Sequence, residues 1–466
     1  MKVCFIYAPN QMVNRCYYTD KIWKNYSKNA ILLPHLGMSY LAALLRKQGY
    51  EVDFLDANIL NLSLEQILAH LKRSNPDCLL YTSITDNFQD TLWWIKKIRA
   101  GYDKPVIIGG PHMDIYPRET LSYPCIDYGV IGDGWETLPE LLEALQSKSG
   151  VASVKGLCYR DGENIVTTAP RPRNVSLEAV PFPARDLLAN NLYDTVLSKK
   201  RPITTMVTAL GCPFQCAYCC TDTAVRARSA EHIVAEIEEC VNKYGIKEIE
   251  FYDETFTIDK DRTFRILDLI EKKKIKFLWS IRTRADCVSE EMLTKMAQLG
   301  CIRINYGIES GDEEILKSIG RAIPLDKIKA AVKFSRQNKI TVLGFFMIGL
   351  PGETRQSVEK TLKLMLELDL DFVQLNKFVP IPNSQIYEDI KRNTGEDFWR
   401  DYTLGKKGFS DFKPYGLHLS QDELNDYLDK GYKAFYFRPK YIWRKLLAVR
   451  SLGELYRMAS AAVSLR

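Results

Sequence analysis

The sequence predicts an α/β protein in which two domains with parallel β-sheets are followed by a helical tail. Two observations predict this architecture: short apolar runs alternate with helical patterns over residues 1–145, and the same alternation resumes after Pro202. The length of 466 residues fits two or three domains. We expect a doubly wound parallel sheet in residues 1–145, a connector in 146–200, a partial (β/α)6 barrel in 201–390 and a helical C-terminal extension in 391–466.

The overall composition is that of a soluble globular protein. Hydrophobic residues make up 46% of the chain and charged residues 26%, and the net charge of +6 is too small to indicate nucleic-acid binding. The first apolar run is too short for a signal peptide, and no apolar run reaches the roughly 18 residues of a membrane span. Most of the twelve cysteines are scattered, which indicates a reducing compartment rather than a disulfide framework. We therefore expect a cytoplasmic protein.

The first domain is predicted from five apolar runs and the helical patterns between them. The expected strands are Val3–Tyr7, Glu51–Leu55, Cys78–Thr82, Val106–Ile108 and Tyr128–Ile131. The expected helices are Gly37–Gln48, Ser63–Lys72, Asn87–Ile98 and Thr137–Leu145. Doubly wound sheets bind ligands at the carboxyl ends of their strands, and the loops expected there are rich in glycine and small polar residues. We therefore expect a ligand-binding crevice at that edge.

A small hairpin is predicted in the connector. Asp161-Gly162 separates two short strand patterns, Gly156–Arg160 and Asn164–Thr168, which is typical of a β-hairpin. The proline-containing stretch Pro181–Asp186 follows and indicates extended chain. The connector therefore marks a boundary between the two sheets.

The second domain repeats the strand–helix unit six times. The expected strands are Ile203–Leu210, Ile249–Tyr252, Phe277–Ile281, Arg303–Gly307, Val342–Ile348 and Phe372–Phe378. Helical patterns include Ala230–Lys243, Lys260–Lys273, Glu290–Leu299 and Leu325–Gln337. In such barrels the loops that follow the strands converge at one end, so we expect the chemistry there.

Three cysteines, Cys212, Cys216 and Cys219, form a C-x3-C-x2-C array in the loop after the first of these strands. Closely spaced thiolates bind zinc or iron–sulfur clusters. A structural zinc site usually has four ligands, and no histidine follows the array before His232, so a partial zinc site is the alternative to a four-iron cluster with one open iron. Cys220 is interpreted as a neighbour of the ligands.

The array, with the aromatic Tyr218 before its last cysteine, resembles the cluster motif of the radical S-adenosylmethionine (SAM) superfamily. The resemblance extends to the loops after later strands, Asp253-Glu254, Gly307–Gly311 and Gly349–Thr354. It implies that the three cysteines hold a [4Fe–4S] cluster. The residues that it implies for SAM binding are Tyr218, Asp253, Glu254, Arg282, Glu309, Ser310, Gly349 and Pro351.

The first domain resembles the cobalamin-binding, Rossmann-like domain that precedes the radical domain in one branch of this superfamily. Pro34–Gly37 looks like the start of that domain's first helix, and Ser83, Thr85 and Gly109-Gly110 resemble the elements that hold the cobalamin tail. The implied cobalamin contacts are Leu36, Gly37, Ser83, Thr85, Gly109, Gly110, Gly132 and Glu136. The D-x-H-x-x-G element that supplies a cobalt ligand is absent, so the lower ligand of cobalt stays open, with His35 and His112 available.

The resemblance implies a cobalamin-dependent radical SAM enzyme, with methyl transfer as the expected reaction. A 5′-deoxyadenosyl radical would remove hydrogen from an unactivated carbon, and methylcobalamin would supply the methyl group. A small-molecule or lipid-like substrate and an external one-electron reductant of the flavodoxin or ferredoxin type are implied as partners. Two alternatives remain: a radical SAM cyclase, oxidoreductase or carbon–carbon bond-forming enzyme with the same domains, and a non-catalytic cobalamin or iron–sulfur sensor or carrier.

The C-terminal tail is basic and rich in aromatic residues. Residues 430–466 contain nine Lys or Arg and a single acid, Glu454. A basic, aromatic, amphipathic stretch can lie on an anionic membrane surface, which would make the protein membrane-peripheral and would suit a lipid-like substrate. The alternative is a helix that packs on the barrel with an exposed basic face.

Overall fold

The computed structural model describes residues 1–9, 32–413 and 418–448. These residues form two compact units. The first contains residues 1–9, 32–194 and 396–411, and the second contains 195–395, 412–413 and 418–448. The division differs from the predicted boundaries, because most of the connector and a short part of the C-terminal extension pack with the first unit. Residues 449–466 of the predicted tail lie outside the described residues.

The first unit is built on a seven-stranded sheet with the order β2-β1-β3-β4-β5-β6-β7. Its strands are β1 (Lys2–Tyr7), β2 (Glu51–Asp56), β3 (Cys78–Thr82), β4 (Val106–Gly109), β5 (Tyr128–Val130), β6 (Leu157–Asp161) and β7 (Asn164–Thr167). The first five are parallel, which confirms the predicted doubly wound sheet. The predicted hairpin is present and extends this sheet, because β6 pairs antiparallel with β5. The order reverses between β1 and β3, where doubly wound sheets open a ligand crevice.

Helices cover both faces of this sheet. They are Leu36–Lys47, Leu64–Ser74, Phe88–Gly101, Pro117–Leu121 and Thr137–Ser147. The consecutive strand residues Phe5 and Ile6 belong to two different apolar cores, because successive side chains of a strand point to opposite faces. A sheet buried on both faces needs continuous apolar strands, which is the pattern that predicted them.

Residues 396–411 return to the first unit. They include the short helix Phe398–Thr403. Gln89 Nε2 donates hydrogen bonds to the Tyr402 and Thr403 carbonyls at 2.7 and 3.0 Å, and Tyr123 donates to the Thr403 carbonyl at 2.8 Å. These bonds join residues about three hundred positions apart, so the sequence pattern contains no signal for them.

The second unit is built on a six-stranded parallel sheet with the order β15-β14-β13-β12-β11-β8. Its strands are β8 (Ile203–Met206), β11 (Glu248–Phe251), β12 (Leu278–Thr283), β13 (Cys301–Glu309), β14 (Thr341–Ile348) and β15 (Phe372–Lys377). Neighbours in space are neighbours in the chain order of the predicted units, which confirms the (β/α)6 arrangement.

The strand predicted at Ile203–Leu210 is interrupted. It divides into β8 and the two-residue strand β9 (Ala209–Leu210), because the amide of Thr208 bonds to the side chain of Asp253 at 2.6 Å. Strand β9 pairs antiparallel with β10 (Arg226–Ala227) instead of continuing in the main sheet. The pair closes a loop, residues 211–225, that contains the cysteine array.

Helices and one irregular segment enclose this sheet. The helices are Ala230–Asn242, Lys260–Lys273, Glu290–Gln298, Glu313–Ser318, Leu325–Gln337, Arg355–Glu367, Gln385–Thr394, Gln421–Tyr436 and Pro439–Ala448. Segment 197–200 lies at the amino ends of the strands: Glu248, the first residue of β11, accepts bonds from the Lys199 and Lys200 amides, and Arg303 donates to the Leu197 carbonyl at 2.8 Å. The carboxyl ends, where the array follows β9, carry the loops predicted for the chemistry.

The helix Gln421–Tyr436 covers the edge strand β15. Tyr436 accepts a hydrogen bond from the Val373 amide at 3.1 Å and donates one to the Val373 carbonyl at 3.0 Å, and Tyr432 accepts from the Leu375 amide at 3.1 Å. An uncovered edge exposes unpaired backbone groups, which these hydroxyls satisfy. The tail helix therefore packs on the barrel within the described residues. None of the described helices is long and apolar enough to cross a membrane.

Candidate active site and cofactor sites

The cysteine loop is held in a closed shape by its own backbone. The Cys212 amide donates to the Asp222 carbonyl at 2.8 Å, and the Cys219 amide donates to the Cys216 carbonyl at 2.9 Å. Gly211 has a φ of +90°, and an added Cβ would collide with the Ala224 carbonyl. A tight loop that begins with a left-handed residue therefore brings the three predicted ligands together.

The three thiols differ in their surroundings. Cys216 is buried, whereas Cys212 and Cys219 are half-buried and Cys220 is exposed. Cys212 Sγ lies 3.7 Å from Thr255 Oγ1, and Cys219 Sγ lies 3.2 Å from Thr221 Oγ1. One tight loop therefore presents three cysteine thiols, the donor type that holds iron–sulfur clusters, so the donor set fits the predicted group.

Two arginines reach the buried thiol of Cys216. Arg321 Nη1 lies 3.7 Å from the sulfur and Arg284 Nη1 lies 4.0 Å from it. Arg284 directly follows β12, and its position at the carboxyl end of a barrel strand favours contact with an anionic group. Arg321 follows the helix Glu313–Ser318 in a stretch without any motif, and the sequence contains no signal for its role.

The acidic pair after β11 divides into a buried and an exposed carboxylate. Both oxygens of Asp253 accept hydrogen bonds from Thr208, one from the amide at 2.6 Å and one from the hydroxyl, and Arg262 lies 3.8 Å away. Glu254 is exposed. Partial desolvation by the surrounding protein raises the pKa of the Glu254 carboxyl group, and the positive charge of Arg282 opposes this rise. Of the two predicted SAM contacts, Glu254 has its carboxylate open to a ligand, while Asp253 fixes the break between β8 and β9.

Arg282 lies beside Glu254 at the end of β12. Its guanidinium stacks over the ring of Tyr252 at 3.9 Å and lies 3.9 Å from Glu250 Oε1. Its Nε has no hydrogen-bond partner among the described residues. A half-exposed cation next to an exposed carboxylate can bind a zwitterion.

The loop after β13 combines a strained glutamate with a satisfied serine. Glu309 is buried with a φ of +69°, and burial raises its pKa, against the nearby charge of Arg321. Arg321 in turn donates to the hydroxyl of Tyr218 at 3.2 Å. The Ser310 hydroxyl lies 3.1 Å from Thr361 Oγ1 and accepts a bond from the Asp312 amide, so it fixes the loop. Glu309 and Tyr218 are brought together with the array, and Ser310 is turned into the protein.

The turn after β14 is organised by Glu353. Its Oε2 accepts hydrogen bonds from the Gly349 amide at 2.6 Å and the Leu350 amide at 3.0 Å. Gly349 has a φ of +89°, and Pro351 is half-buried in the turn. Burial raises the pKa of Glu353 to about 7. The predicted SAM contacts Gly349 and Pro351 are therefore presented by a turn that this carboxyl group holds.

In the first unit, the loops at the carboxyl ends of β3, β4 and β5 are joined. The Ser83 amide donates to the Gly109 carbonyl at 3.1 Å, and the His112 amide donates to the Ser83 carbonyl at 3.1 Å. The Gly132 amide donates to Asp114 Oδ1 at 2.7 Å. A small recess between the ends of β1 and β3 is lined by Tyr7, Ala8, Thr82, Asn87 and Asp90 among others. Backbone hydrogen bonds therefore join the loops of this edge, and the ligand-binding crevice there stays a prediction.

Gly110 is required by the close approach of two of these loops. It has a φ of +92°, and an added Cβ would lie 2.5 Å from Thr82 Oγ1 and 2.7 Å from the Ser83 carbonyl. The glycine therefore allows two loops that carry predicted cobalamin contacts to pack closely, and the small residues at this edge fit the predicted cobalamin site. Glu136 is the N-cap residue of the helix Thr137–Ser147, and its carboxylate lies 3.7 Å from Arg171.

The remaining predicted cobalamin contacts and the two histidines are placed as follows. Leu36 and Gly37 begin the first helix, and His35 caps it by accepting a bond from the Met38 amide at 3.3 Å. His112 is fully buried, stacks on Phe88 at 4.1 Å and lies 3.2 Å from Thr85 Oγ1. Burial lowers the pKa of His35 to about 4 and that of His112 to about 3. One ring nitrogen of each imidazole contacts a neighbouring group of the protein, and the lower ligand of cobalt stays open.

A second group of metal-ligand type is Cys4, Asp53 and His70 on β1, β2 and the helix Leu64–Ser74. Asp53 Oδ2 lies 2.7 Å from His70 Nε2 and also accepts a bond from Ser74. These contacts account for the cluster as a hydrogen-bonded network beside a buried thiol.

Comparison with known proteins agrees with this geometry. Residues 206–365 match the family model of the radical SAM superfamily, and residues 30–142 match that of the B12 binding domain. The chain is 31% identical to an uncharacterized methyltransferase of Pyrococcus horikoshii over 91% of this chain and 95% of that protein. The chain belongs to the cobalamin-dependent radical SAM methyltransferase family.

Two further similarities bear on this radical SAM enzyme. It is 27% identical to the anaerobic magnesium-protoporphyrin IX monomethyl ester cyclase of Cereibacter sphaeroides, over 88% of this chain and 69% of the cyclase. Its fold is similar to that of the cobalamin-dependent SAM radical enzyme OxsB with aqua-cobalamin bound, with a TM-score of 0.74, 18% identity, and coverage of 100% of this chain and 72% of OxsB. The family uses a [4Fe–4S] cluster, SAM and cobalamin, so the predicted cofactors are confirmed and the non-catalytic sensor or carrier is set aside.

Proposed function

We propose that this enzyme transfers a methyl group from SAM to an unactivated carbon of a small-molecule substrate. The observation that carries the proposal is the presence of both cofactor-binding domains in one chain that aligns over nearly its whole length with a methyltransferase. When bound, the cluster supplies the electron that cleaves SAM, and cobalamin supplies the methyl group.

The residues at the carboxyl end of the barrel suit the amino-acid end of SAM. Glu254 offers an exposed carboxylate for the ammonium group, and Arg282 offers a guanidinium for the carboxylate. Asp253 contributes indirectly, since its bonds to Thr208 fix the break in the strand that begins the cysteine loop. Cys212, Cys216 and Cys219 would hold the cluster next to this pair.

The loops after β13 and β14 hold the rest of the site rigid. Tyr218, Glu309 and Arg321 form one buried group beside Cys216, and Glu353 fixes the turn that carries Gly349. Preorganised groups in a site that excludes water keep a reactive intermediate from side reactions. We propose that these loops contact the nucleoside part of SAM.

The enzyme takes a small-molecule substrate and requires a one-electron donor. We propose that the donor is a small protein of the flavodoxin or ferredoxin type, since cluster reduction needs a low-potential carrier. Reduction of the isolated enzyme by such a protein, followed by the cluster signal in electron paramagnetic resonance, tests this partner. Reduction only by dithionite would count against it.

A radical SAM cyclase or other bond-forming enzyme is the second candidate. It is favoured by the 27% identity to the anaerobic cyclase over 429 residues. The two reactions give different products: methylation adds the mass of one methylene, whereas cyclisation or oxidation removes two hydrogens or adds one oxygen.

The test is anaerobic turnover of a small-molecule extract with SAM, reductant and hydroxocobalamin. The extract is compared by mass spectrometry with a parallel reaction that uses SAM with a deuterated methyl group. A product that gains the labelled methyl supports the proposal. 5′-Deoxyadenosine without any labelled product, together with a product that has lost hydrogen or gained oxygen, favours the second candidate.

Membrane contact and a lipid-like substrate are the remaining proposals. Four tail aromatics predicted for such contact, Tyr432, Phe435, Tyr436 and Tyr441, pack against the barrel, so the exposed Ile442 and Trp443 carry this proposal in the described residues. The intact enzyme should co-sediment with anionic vesicles, and replacement of Ile442 and Trp443 by Ser should weaken this. Binding that is absent, or equal for both proteins, would contradict it.

A further inference from the structure

The buried thiol of Cys216 lies between two guanidinium groups. Arg321 Nη1 is 3.7 Å and Arg284 Nη1 is 4.0 Å from its sulfur, and both arginines are almost fully buried. In the part of the chain that the structure describes, the sulfurs of Cys212 and Cys219 lie next to threonine hydroxyls instead. One of the three thiolates is therefore placed in a locally positive surrounding.

Arg284 is fixed in this position by two neighbours. Its guanidinium stacks on the ring of Phe214 at 3.7 Å, and it forms a two-pronged bond with Asp286 at 2.9 and 2.8 Å. Phe214 belongs to the cysteine loop itself. Planar stacking together with a forked carboxylate contact uses features that lysine lacks, so the site is built for arginine.

Arg321 is fixed by the opposite wall. It donates to the Gly307 carbonyl at 2.7 Å and to the hydroxyl of Tyr218 at 3.2 Å. The preceding residues press on the cysteine loop: the Ala217 amide donates to the Ile319 carbonyl at 2.9 Å, and a Cβ on Gly320 would lie 2.8 Å from the Gln215 carbonyl. These contacts therefore fix the position of Arg321 relative to the cysteine loop.

The positive charges of the two arginines affect the reduction potential of a cluster bound at Cys216. Reduction adds one electron and no proton, so it increases the negative charge on the sulfurs. Hydrogen bonds to the sulfurs, net charge and burial set the reduction potential of iron–sulfur clusters. Each arginine also faces a carboxylate: Asp286 pairs with Arg284 at 2.8 Å, and Glu309 lies 4.0 Å from Arg321. The guanidinium groups are the charged groups that contact the Cys216 sulfur.

We propose that Arg284 and Arg321 act as positioning residues for the cluster: they donate N–H···S hydrogen bonds to Cys216 and favour the reduced state. The inference rests on the proposed cluster site at Cys212, Cys216 and Cys219. It makes the cluster easier to reduce by the external one-electron donor. The arginines themselves neither gain nor lose a proton or an electron.

The test is a redox titration with dithionite of the reconstituted enzyme, in the absence of SAM, followed by electron paramagnetic resonance. The variants are Arg284→Gln and Arg321→Gln, which remove charge and hydrogen bond, and Arg284→Lys, which keeps the charge. Each Gln variant should lower the ratio of reduced to oxidised cluster at fixed potential by about tenfold, or ~59 mV for a one-electron couple. Arg284→Lys should lie between the wild type and Arg284→Gln.

The matched control is Arg265→Gln, which removes an exposed arginine of the same unit paired with Glu231. It should leave the potential unchanged. Iron and sulfide content are measured in every sample, and circular dichroism of the whole enzyme is the measure of folding. Intact clusters in Arg284→Gln with the wild-type potential, or a shift as large in Arg265→Gln, would overturn the inference. For Arg321→Gln, only the fraction of the enzyme that holds an intact cluster is used to determine the potential. If that fraction is small, the result for Arg284→Gln decides the test.

Failure of the proposed cluster site is a separate result. If the triple replacement of Cys212, Cys216 and Cys219 by Ala leaves iron and sulfide content unchanged, the site itself is wrong and the arginine inference falls with it. If that replacement removes the cluster while the arginine variants keep the wild-type potential, only the arginine inference falls.

Discussion

Replacing Glu353 by Gln should make the stability of the second unit less dependent on pH. The carboxyl group is fully buried and holds the turn after β14 through bonds to the Gly349 and Leu350 amides, while its Oε1 has no partner among the described residues. A Gln at this position keeps an oxygen for the two amides. It removes the titration and little else.

The magnitude follows from the pKa. Burial raises the pKa of Glu353 from its ordinary value of 4.5 to about 7. The folded state therefore holds a proton that the unfolded state releases, so this group stabilises the fold fully below pH 4.5 and its contribution is lost as the pH rises through about 7. The complete change corresponds to about 3 kcal/mol.

The assay is thermal or denaturant unfolding of wild type and Glu353→Gln in parallel, at several values between about pH 5 and pH 8. Subtracting the free energies of unfolding of the two proteins cancels the pH dependence of all groups that they share. Relative to the variant, the wild type should lose about 2.5 kcal/mol of stability across this range, because part of the full contribution is already lost at about pH 5. Glu359→Gln, an exposed glutamate of the following helix, is the control and should show a constant difference.

A constant difference between wild type and Glu353→Gln would refute the reasoning, because it would mean that the carboxyl group is ionised in the folded state throughout. A loss of stability that grows toward low pH would refute the assigned direction. Because the chain has two units, the transition of the second unit is identified first as the one that a core truncation of that unit, Leu293→Ala, lowers.

Three further outcomes are expected. Cys219→Ala should abolish the visible absorption of the reconstituted cluster, whereas Cys220→Ala, which changes an exposed neighbour, should retain this absorption. If both variants lose the absorption equally, Cys220 also serves as a ligand. Gly110→Ala should destabilise the first unit by about 1–3 kcal/mol, because the positive φ and a collision with Ser83 both oppose a Cβ. The variant should also retain less cobalamin while its iron content stays unchanged. Unchanged cobalamin retention would contradict a role of this loop contact in holding cobalamin. Tyr436→Phe should cost about 1–3 kcal/mol in unfolding experiments, because the Val373 amide and carbonyl lose their partner; a neutral effect would mean that water replaces the hydroxyl.

Much of the cofactor chemistry was readable because its residues are close in the chain. The three cysteines lie within eight positions, and the turns that follow β11, β13 and β14 each carry their motif in a few residues. The structure gives the residues within one motif different roles. Asp253 and Ser310 have the expected positions, but Thr208 and Thr361 occupy their polar atoms. A motif specifies the residue types, whereas the direction of each side chain depends on the packing around it.

The sequence by itself determined the order of strands and helices, the two parallel sheets and the cysteine array, because hydrophobic periodicity and short motifs are local properties. Only the tertiary structure decided that Arg321 contacts Cys216, which is 105 positions away, that residues 396–411 return to the first unit and that tyrosines of the tail cover the edge strand β15. These contacts join distant parts of the chain. Their stabilisation comes from burial and hydrogen bonds that exist only after the sheets have formed, so no local pattern encodes them.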